Sequence, residues 1–420
     1  MAASVLRDGG SGLFVRASPI AINMLETAGF ATPDCCSSIP ACARMTPNVM
    51  PTIRKVAVSD EELKRRIDGV QVTTDFNNVL SDVSLHGWKW KSDCRAFSIF
   101  TKNIVSGNGA SVADGQVLAM GTVSGGRALE RLVSLIRTPS ESIFNSTMQE
   151  LYKRDFIYGS IVYAIPSDST MLGDGSLLTV KTSAFARSKR LSHKKNEHMC
   201  YVEQFRPTKD GFAIVFASIP RHEVLVGKAS GKHVDELCPY RGWILVEKAP
   251  ESKASVRVLY HAGIDPEFVD AEKNISLGLC SAKTTAARLF RLAKGFCRLG
   301  EVLHQQRQKD SVNRKTSSAT NSNTISFCDV STDVSNSHCV ACTSKFDLLR
   351  RRRRCGLCAY NVCAKCCYRE PMIIYNRYAA TIQFCARCRE CMTGGEYPHL
   401  RLASRRHSSP GIPTSFAPYH

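Results

Sequence analysis

The sequence predicts an α+β fold in two parts, a large domain whose antiparallel sheet curls around a long C-terminal helix and a small cysteine-rich module. Residues 88–261 contain short β-branched and aromatic runs separated by turn residues, as expected for successive strands. Apolar residues then recur at steps of mostly three and four between residues 275 and 303, which predicts one long helix. Finally, ten of the 19 cysteines fall between Cys339 and Cys391.

The composition is typical of a largely globular protein. The chain of 420 residues is 43% hydrophobic, which suffices for one full-sized domain with its own core and one or two small modules. Its formal net charge of +19 indicates an anionic partner, and nucleic acid, an acidic membrane surface or an acidic protein would each satisfy it. Charge alone does not choose among these three.

The first part of the chain carries no signal for a membrane-spanning helix. No apolar run approaches the roughly 20 residues that such a helix needs, so we expect a soluble, intracellular protein. Residues 1–55 are rich in Ala, Ser, Pro and Met and show no sustained periodicity. We expect this N-terminal segment to be disordered.

The first helix of the large domain is predicted just after Ser59. The sequence SDEEL forms a Ser-x-x-Glu capping box, and Leu63, Ile67 and Val70 continue at helical spacing. Gly69 is expected to break this helix because glycine is a poor helix former. From Trp88 onward the pattern changes to strands.

One helical segment interrupts the strands, with the sequence RALERLVSLIRTPSESIFNSTMQELY. About six more strands follow it, and then the long closing helix. The apolar side of that helix is predicted to consist of Ile275, Leu279, Ala282, Ala286, Leu289, Ala293, Phe296 and Leu303. Each of its glycines, such as Gly295, costs up to ~1 kcal/mol and permits either close packing or movement of a lid.

This order of elements resembles the START lipid-transfer family, whose helix-grip fold encloses a tunnel for one lipid. The resemblance covers residues 56–304 and rests on the element order, an aromatic-rich first strand with Trp88 and Trp90, and the closing helix. It implies a START-like domain with a cavity for a single lipid. The same aromatic and aliphatic residues also suit a solid core, and the sequence leaves open which of the two is present.

Two polar segments flank the cysteine-rich region. Residues 305–338 are rich in Ser, Thr and Asn with almost no apolar content, which predicts a flexible linker. Residues 392–420 have the same character and are expected to form a disordered tail. The module between them is predicted to span residues 339–391.

The cysteines of this module form four C-x-x-C pairs. They are Cys339 and Cys342, Cys355 and Cys358, Cys363 and Cys366, and Cys385 and Cys388. Two residues between thiolates let both sulfurs reach one tetrahedral zinc at about 2.3 Å, so each pair supplies half of a site. The sequence therefore predicts eight ligands for two Zn²⁺ ions, since clustered pairs in a reducing compartment favour metal over disulfides.

The pairs are expected to interleave, the first with the third and the second with the fourth. Only four residues separate the two middle pairs, so a sequential arrangement would crowd the two ions; the cross-brace assignment rests partly on analogy. Closed four-cysteine sites leave no open position, and we expect structural rather than catalytic zinc. A module this small depends on metal for most of its folding free energy. Cys367 and Cys391 are left over as spectators or substitute ligands.

The spacing C-x2-C-x12-C-x2-C-x4-C-x2-C-x18-C-x2-C, with a basic run directly before the third cysteine, resembles a FYVE zinc finger. Phe346 stands where that family has an aromatic core residue. The resemblance implies binding to phosphatidylinositol 3-phosphate on endosomal membranes, with a peripheral location there. The headgroup contacts would come from Arg351, Arg352, Arg353 and Arg354.

Three motifs of the family differ in this chain. The basic motif Arg-Arg-His-His-Cys-Arg reads RRRRCG at residues 351–356, and Arg-Val-Cys near the last pair reads QFC at residues 383–385. The Trp-x-x-Asp motif before the first cysteine is absent. Because arginine forks onto phosphate oxygens and stays charged, phosphoinositide binding is expected with looser selectivity and without strengthening on mild acidification.

Leu348 and Leu349 precede the arginines and are predicted to insert into the membrane. An apolar tip beside a cationic patch suits a surface that is both hydrophobic and anionic, whereas a nucleic acid would leave the leucines wet. Residues 339–391 hold eleven Lys and Arg against three Asp and Glu, so the module stays cationic even with two zinc–tetrathiolate centres. We therefore expect a phosphoinositide-containing membrane as the partner and no nucleic acid.

Two other classes of function stay open. A divergent RING-type ubiquitin ligase shares the cross-brace, although no histidine lies between Cys339 and Cys391. A zinc-stabilised nucleic-acid binder would use the arginines and would be indifferent to the leucines. No catalytic arrangement stands out at recognisable spacing, so we expect a protein that is not an enzyme.

Overall fold

The structure is a computed structural model of the chain. It describes residues 55–72, 87–107, 109–165, 175–187, 195–269, 276–317, 336–347, 350–374, 378–393 and 400–402, with positions 76, 78, 79 and 274. The predicted disordered segment lies outside these ranges except for Lys55. The same holds for most of the predicted linker and tail.

The large domain contains the following elements. Its helices are α1 (Asp60–Asp68), α2 (Ala128–Ile136), α3 (Glu141–Tyr152), α4 (Ala282–Phe296) and α5 (Leu299–Ser317). Its strands are β1 (Lys89–Cys94), β2 (Phe97–Val105), β3 (Ser111–Ser124), β4 (Phe156–Ile165), β5 (Leu177–Phe185), β6 (Asn196–Thr208), β7 (Gly211–Ser218), β8 (Val234–Glu236), β9 (Tyr240–Ala249) and β10 (Ser252–Ile264).

These ten strands form a single sheet in the order β1-β2-β3-β10-β9-β7-β6-β5-β4. All pairs along this path are antiparallel, and the short β8 runs parallel to β6 outside it. The continuous antiparallel path explains why the sequence shows hairpin-like spacing of strands and turns. This large antiparallel sheet with its packed helices is consistent with the START-like α+β fold predicted from the sequence.

Both faces of the central strands of the sheet are buried, whereas the edge strand β1 is largely exposed. In β7, Phe212, Ile214 and Phe216 point into the apolar cluster beneath α4, because side chains alternate along a strand. Ala213 and Val215 point the other way, into the cluster that contains Leu63 and Ile67 of α1. A sheet covered on two sides accounts for strands such as β5, which is buried at almost every position.

Two of the predicted helix signals are confirmed. Ser59 caps α1, its Oγ accepting a hydrogen bond from the Glu62 backbone N–H at 3.2 Å, and the helix ends before Gly69. The interrupting helical segment is present as two helices, α2 and α3. Ser140 caps α3 by accepting from the Ile143 N–H.

The single closing helix predicted for residues 275–303 is wrong in its bounds. The chain forms two helices there, α4 ending at Phe296 and α5 beginning at Leu299, with Cys297 as the C-cap of α4. Within α4 the predicted apolar face is confirmed, since Ala286, Leu289 and Ala293 are buried against the sheet, whereas Leu279 precedes the helix and bridges to Glu236. Ile275 lies outside the described residues.

Helix α5 also corrects the start of the predicted linker. Its residues 305–317 belong to a helix rather than to a flexible segment. They are polar, but Glu, Gln, Lys and Arg are good helix formers, so a polar composition does not by itself indicate disorder. Arg307 donates to the Gly126 carbonyl at 2.8 Å, so this part of the helix contacts the large domain.

The cysteine-rich module is made of two small sheets and one helix. Strand β11 (Arg352–Arg354) pairs with β12 (Asn361–Cys363), and β13 (Cys367–Ile374) pairs with β14 (Tyr378–Cys385) and β15 (Leu400–Leu402). Helix α6 spans Ala386–Thr393. Strand β15 lies within the predicted tail, so the tail prediction is wrong at this point; the alternating Leu400 and Leu402 gave a signal too short to recognise.

Within the described part of the chain, no helix is both long enough and apolar enough to cross a membrane.

Candidate metal centres and apolar cavity

The eight cysteines of the C-x-x-C pairs converge on two points. One quartet consists of Cys339, Cys342, Cys363 and Cys366, and the other of Cys355, Cys358, Cys385 and Cys388. Within each quartet all sulfurs lie within 4.8 Å of one another. The first pair thus meets the third and the second meets the fourth, which is the interleaved grouping expected from the short spacer between the middle pairs.

The sulfur separations fit a tetrahedral metal rather than disulfides. A zinc ion with bonds of about 2.3 Å holds its sulfurs about 3.8 Å apart, whereas a disulfide needs about 2.05 Å. The distance between Sγ atoms is 3.7 Å for Cys342 and Cys363 and 3.7 Å for Cys355 and Cys388. Every described cysteine is a free thiol. Each quartet can therefore hold one metal ion.

The same backbone turn presents the first pair of each quartet. Cys339 N–H donates to the Ser344 carbonyl, and Cys355 N–H donates to that of Tyr360, both at 2.9 Å. The residue after each pair adopts a left-handed conformation, with φ 55° at Thr343 and φ 62° at Ala359. This turn points both thiols of a pair to the same side, which allows them to bind the same metal ion.

The electrostatics of the quartets call for a cation. The contact with Cys339 lowers the pKa of Cys342, and the same contact raises the pKa of Cys339 to about 12. Four sulfurs at this separation do not all ionise by themselves, because thiolates repel one another. A divalent ion removes that repulsion and binds thiolates, and sulfur-only tetrahedral sites are typical of zinc.

The two remaining cysteines of the module belong to neither quartet. Cys367 lies directly opposite Cys385 in the β13–β14 pair and is half-buried. Cys391 follows Cys388 by three residues in α6 and is also half-buried. Among the described residues, the quartets are complete without them.

The arginine run forms an exposed strand edge beside the first quartet. Arg351, Arg352, Arg353 and Arg354 are all exposed, and Arg352 pairs with Cys363 across the β11–β12 hairpin. The Arg352 guanidinium stacks 5.2 Å from the ring centroid of Phe346. Phe346 is buried in the core of the module, as predicted. Leu348 and Leu349 lie outside the described residues.

The two divergent motifs, RRRRCG at residues 351–356 and QFC at residues 383–385, are in contact at this strand. The Gln383 side chain donates to the Arg354 carbonyl at 2.9 Å, and the Gly356 N–H donates to the Gln383 carbonyl at 2.7 Å. Residues 354, 356 and 383 are therefore neighbours in space. Arginine stands at one of these positions, and glycine and glutamine stand at the other two.

The module packs on the large domain through Arg387, a residue that the sequence reasoning missed. Arg387 stands between two ligands, Cys385 and Cys388, and only 6% of its surface is exposed. Its guanidinium donates to Ser160 Oγ and to the Gly227 carbonyl, both in the large domain. It therefore anchors the second quartet to the sheet.

Further contacts surround this anchor. The Arg387 guanidinium lies 4.2 Å from the ring centroid of Tyr158, and Tyr158 meets Tyr360 of the module edge to face at 4.8 Å. Away from these rings, the Asn196 side chain donates to the Thr343 carbonyl at 2.7 Å. The module is thus packed against β4 to β6, in contrast to the tethered arrangement that the predicted linker implied.

The interior of the large domain contains a mostly apolar cavity of about 110 Å³ between the sheet and helices α2 to α4. One ion pair faces it: Lys181 Nζ lies 2.6 Å from Glu203 and 2.8 Å from Thr138 Oγ1. A volume of 110 Å³ holds about three or four waters, while ligand pockets usually measure about 300–1,000 Å³. The cavity is therefore closed to a lipid-sized molecule in this conformation.

A cysteine and a histidine also meet in the core. Cys200 Sγ lies 3.6 Å from His198 Nδ1, and both residues are buried. Burial raises the pKa of Cys200 and lowers the pKa of His198, so both stay neutral. This pair supplies neither a thiolate nor an imidazolium, unlike a reactive cysteine site.

The residues missed by sequence reasoning left weak signals. Lys181 stands within the otherwise apolar run SLLTVKTSAFA, where a charged residue needs a buried partner. That partner, Glu203, lies in the next strand, 22 residues further along the chain, and could not be assigned from one sequence. The burial of Arg387 could not be predicted, because the C-x-x-C pattern does not indicate the direction of the two residues between its cysteines.

Comparison with known proteins adds only a distant likeness. No protein-family model and no curated protein sequence matches this chain. Among solved structures, the crystal structure of human STARD10 is similar at a TM-score of 0.33 and 12% identity, covering 57% of this chain and 86% of that one. The crystal structure of TTHA0849 from Thermus thermophilus has a TM-score of 0.23 and 12% identity, covering 43% and 96%. Similarity this low carries no argument about function.

Proposed function

We propose that this protein is a zinc-dependent, non-catalytic lipid-binding protein. Its module would bind two Zn²⁺ ions and dock on phosphoinositide-containing membranes, peripherally on endosomes. Its START-like domain would hold a single lipid. The protein would thereby bring one bound lipid to a membrane of defined composition.

The observation that carries the membrane-docking part is the exposed strand Arg352–Arg354 between the two cysteine quartets. Metal ions at the quartets would hold this strand rigidly, and its arginines extend into solvent. Arginine binds phosphate oxygens in a fork and stays charged throughout the physiological pH range. Each basic residue near an anionic membrane contributes about 1 kcal/mol.

The neighbouring positions 354, 356 and 383 support a phosphate pocket with loose selectivity. They are the positions at which the FYVE resemblance places headgroup contacts, and Gln383 bonds to Arg354 and Gly356. Glycine and glutamine occupy two of these three positions, so fewer cationic side chains than in the FYVE motifs would fix the position of the phosphate. The pocket would therefore distinguish poorly among phosphoinositides.

The lipid-holding part is supported by the polar atoms at the wall of the cavity. The Lys181–Glu203 pair faces an otherwise apolar space, and Tyr240 Oη is buried there with no hydrogen-bond partner among the described residues. An unpaired buried hydroxyl costs about 1–3 kcal/mol. A lipid with an oxygen near its head would remove that cost, provided that the cavity expands.

Sedimentation of the full zinc-loaded chain with vesicles tests the docking. Vesicles of phosphatidylcholine alone and with added phosphatidylinositol 3-phosphate are compared for the unaltered chain and for Arg352→Ala/Arg353→Ala. A matched control, Lys209→Ala/Lys248→Ala, removes the same charge from exposed positions at the far end of the sheet.

The proposal predicts that the arginine change lowers phosphoinositide-dependent sedimentation about tenfold and that the lysine change does not. Equal losses in both would reduce the effect to net charge and contradict the proposed pocket. Salt-sensitive binding to DNA or RNA without vesicle binding would favour the nucleic-acid alternative instead.

A further inference from the structure

An open cleft of about 800 Å³ lies where α3 ends and β4 begins, against the C-terminal half of α4. Five cationic side chains line it, namely Lys153, Arg154, Arg291, Lys294 and Arg298. The acidic residues among its lining are Glu150 and Asp155. The cleft is therefore a cationic depression on the large domain, separate from the arginine strand of the module.

Arg298 on the wall of the cleft pairs with Glu301 at 3.1 Å, while three guanidinium groups compete for acidic partners at its base. Arg291 pairs with Glu197 at 3.0 Å, but Arg187 and Arg288 pair with the same carboxylate. Asp235 pairs with Arg187 at 3.0 Å, so three guanidinium groups share two carboxylates within ion-pair distance, and Asp155 is a further acidic group near Arg288. The buried Nε of Arg291 also has no hydrogen-bond partner among the described residues. This arrangement favours an anion beside Arg291.

The rim of the cleft adds three exposed cations. Lys153, Arg154 and Lys294 are all exposed. The Lys294 ammonium lies 4.8 Å from the ring centroid of Phe290, which leaves it near the surface of α4. Lys153 has φ 51° and ψ −124°, a backbone conformation that is strained for a residue with a side chain.

The cleft and the apolar cavity share one wall. Leu151 and Tyr152 line both spaces. The Tyr152 ring packs closely against Gly295, where an added methyl group would stand 2.2 Å from a ring carbon. Tyr152 also meets Phe185 of the cavity wall edge to face at 5.6 Å. A rotation of this one side chain away from Gly295 would join the cationic cleft to the apolar interior.

We propose that the cleft binds the anionic headgroup, a phosphate or carboxylate, of a single amphiphile whose hydrocarbon chain passes Tyr152 into the cavity. This inference rests on the proposed lipid-holding function and narrows it to anionic lipids. Arg291 and Arg154 contact the headgroup, and Tyr152 is the gate. The cavity widens beyond its closed volume as the chain displaces the aromatic side chains that line it.

The test measures binding of matched amphiphiles to the full zinc-loaded chain by native mass spectrometry and by displacement of a fluorescent fatty acid. The probes are lysophosphatidic acid, a fatty acid and a neutral monoacylglycerol of equal chain length, with inorganic phosphate as the headgroup alone. The variants are Arg154→Ala/Lys294→Ala in the cleft, the distant pair Lys209→Ala/Lys248→Ala as control, and Tyr152→Ala at the gate.

The proposal predicts binding of both anionic amphiphiles and a loss of about tenfold or more in the cleft variant, with neutral binding and the lysine control unchanged. Tyr152→Ala is expected to speed uptake several-fold. Equal binding of neutral and anionic probes, insensitive to the cleft variant, would overturn the headgroup site and leave lipid holding intact. Binding of no amphiphile would refute the lipid-holding function itself. Binding of inorganic phosphate as tight as that of lysophosphatidic acid would show an anion site unconnected to the cavity.

Discussion

The large domain and the cysteine-rich module stabilise their interiors by different means. The large domain buries aromatic and aliphatic side chains on both faces of a ten-stranded sheet, in two extensive apolar clusters. The module has one small cluster, and many of its buried members are the cysteines of the two quartets. The first interior depends on area removed from water, whereas ions bound at the quartets would stabilise the second through metal–sulfur bonds.

This contrast implies that a substitution can change the metal content without changing the stability of the sheet, and the reverse. The exception is the contact between the two regions. They meet at Arg387, which belongs to the module by sequence and to the large domain by its contacts. A change at a ligand, a change at this arginine and a change deep in the sheet should therefore give three distinguishable results.

The largest effect is expected from Cys385→Ser, with Cys367→Ser as its control. The two cysteines face each other across the β13–β14 pair, but only Cys385 belongs to a quartet. Structural zinc contributes about 10–16 kcal/mol of apparent binding free energy, so loss of one ligand should release an ion and unfold the module. Elemental analysis should give two zinc ions for Cys367→Ser and fewer for Cys385→Ser. Amide hydrogen exchange should rise in the module and stay low in β5 to β7; an unchanged zinc content in Cys385→Ser would refute the assigned ligand set.

The next effect concerns the contact between the two regions. Arg387→Ala removes a buried, hydrogen-bonded cation and leaves its partners unpaired, at a cost of about 2–4 kcal/mol. We expect both zinc ions to stay bound while hydrogen exchange increases around Ser160 and in the module. Arg389→Ala on the same helix removes an exposed arginine that pairs with Glu370 and should change little. Similar exchange in both variants would contradict the anchoring role.

A smaller effect is expected from Glu236 in β8. Burial raises its pKa from 4.5 to about 7, although the Arg221 N–H and cation oppose the shift. The folded state therefore holds a proton that the unfolded state releases, and this contribution is present below pH 4.5 and lost as pH rises through 7. Glu236→Gln should remove on the order of 2 kcal/mol of the difference in unfolding free energy between pH 5.5 and 8. Urea unfolding of both chains at both pH values measures it; identical pH slopes would show that Glu236 titrates normally.

The smallest expected effect is that of pH on membrane docking. Arginines occupy the positions where the FYVE resemblance has a histidine pair, and they stay charged from pH 6 to 7.4. Vesicle sedimentation at these two pH values should therefore agree within about twofold. A gain of tenfold at pH 6 would show that a titrating group outside the arginine strand controls docking.

The sequence predicted those features that repeat or that have a local cause. Runs of β-branched and aromatic residues indicated the strands, Ser59 indicated the start of α1, and the C-x-x-C spacing, together with analogy, predicted the interleaved quartets. These signals are local because a strand, a cap or a turn depends on a few successive residues. The proposed zinc ligands can therefore be predicted from the sequence alone.

The features that sequence reasoning missed depend on contacts between distant residues. Arg387 and Ser160 are far apart in the chain, as are Lys181 and Glu203 in separate strands. The division of the closing segment into α4 and α5 was missed because apolar spacing continues across Cys297. The polar surface of α5 resembles a linker in composition, but the buried Val302 and Leu303 and the bond from Arg307 to the Gly126 carbonyl show that the helix is packed.

The position of Arg387 has a practical consequence for dividing the protein into fragments. A fragment that begins near Asn336 would expose this arginine together with Tyr360, and the remaining chain would expose Ile157 and Tyr158. Each fragment would expose a partly aromatic, apolar patch that is buried in the intact chain. Deletions would then report self-association or chaperone capture, so single-residue exchanges in the full-length chain are the sound way to assign roles to the two regions in cells.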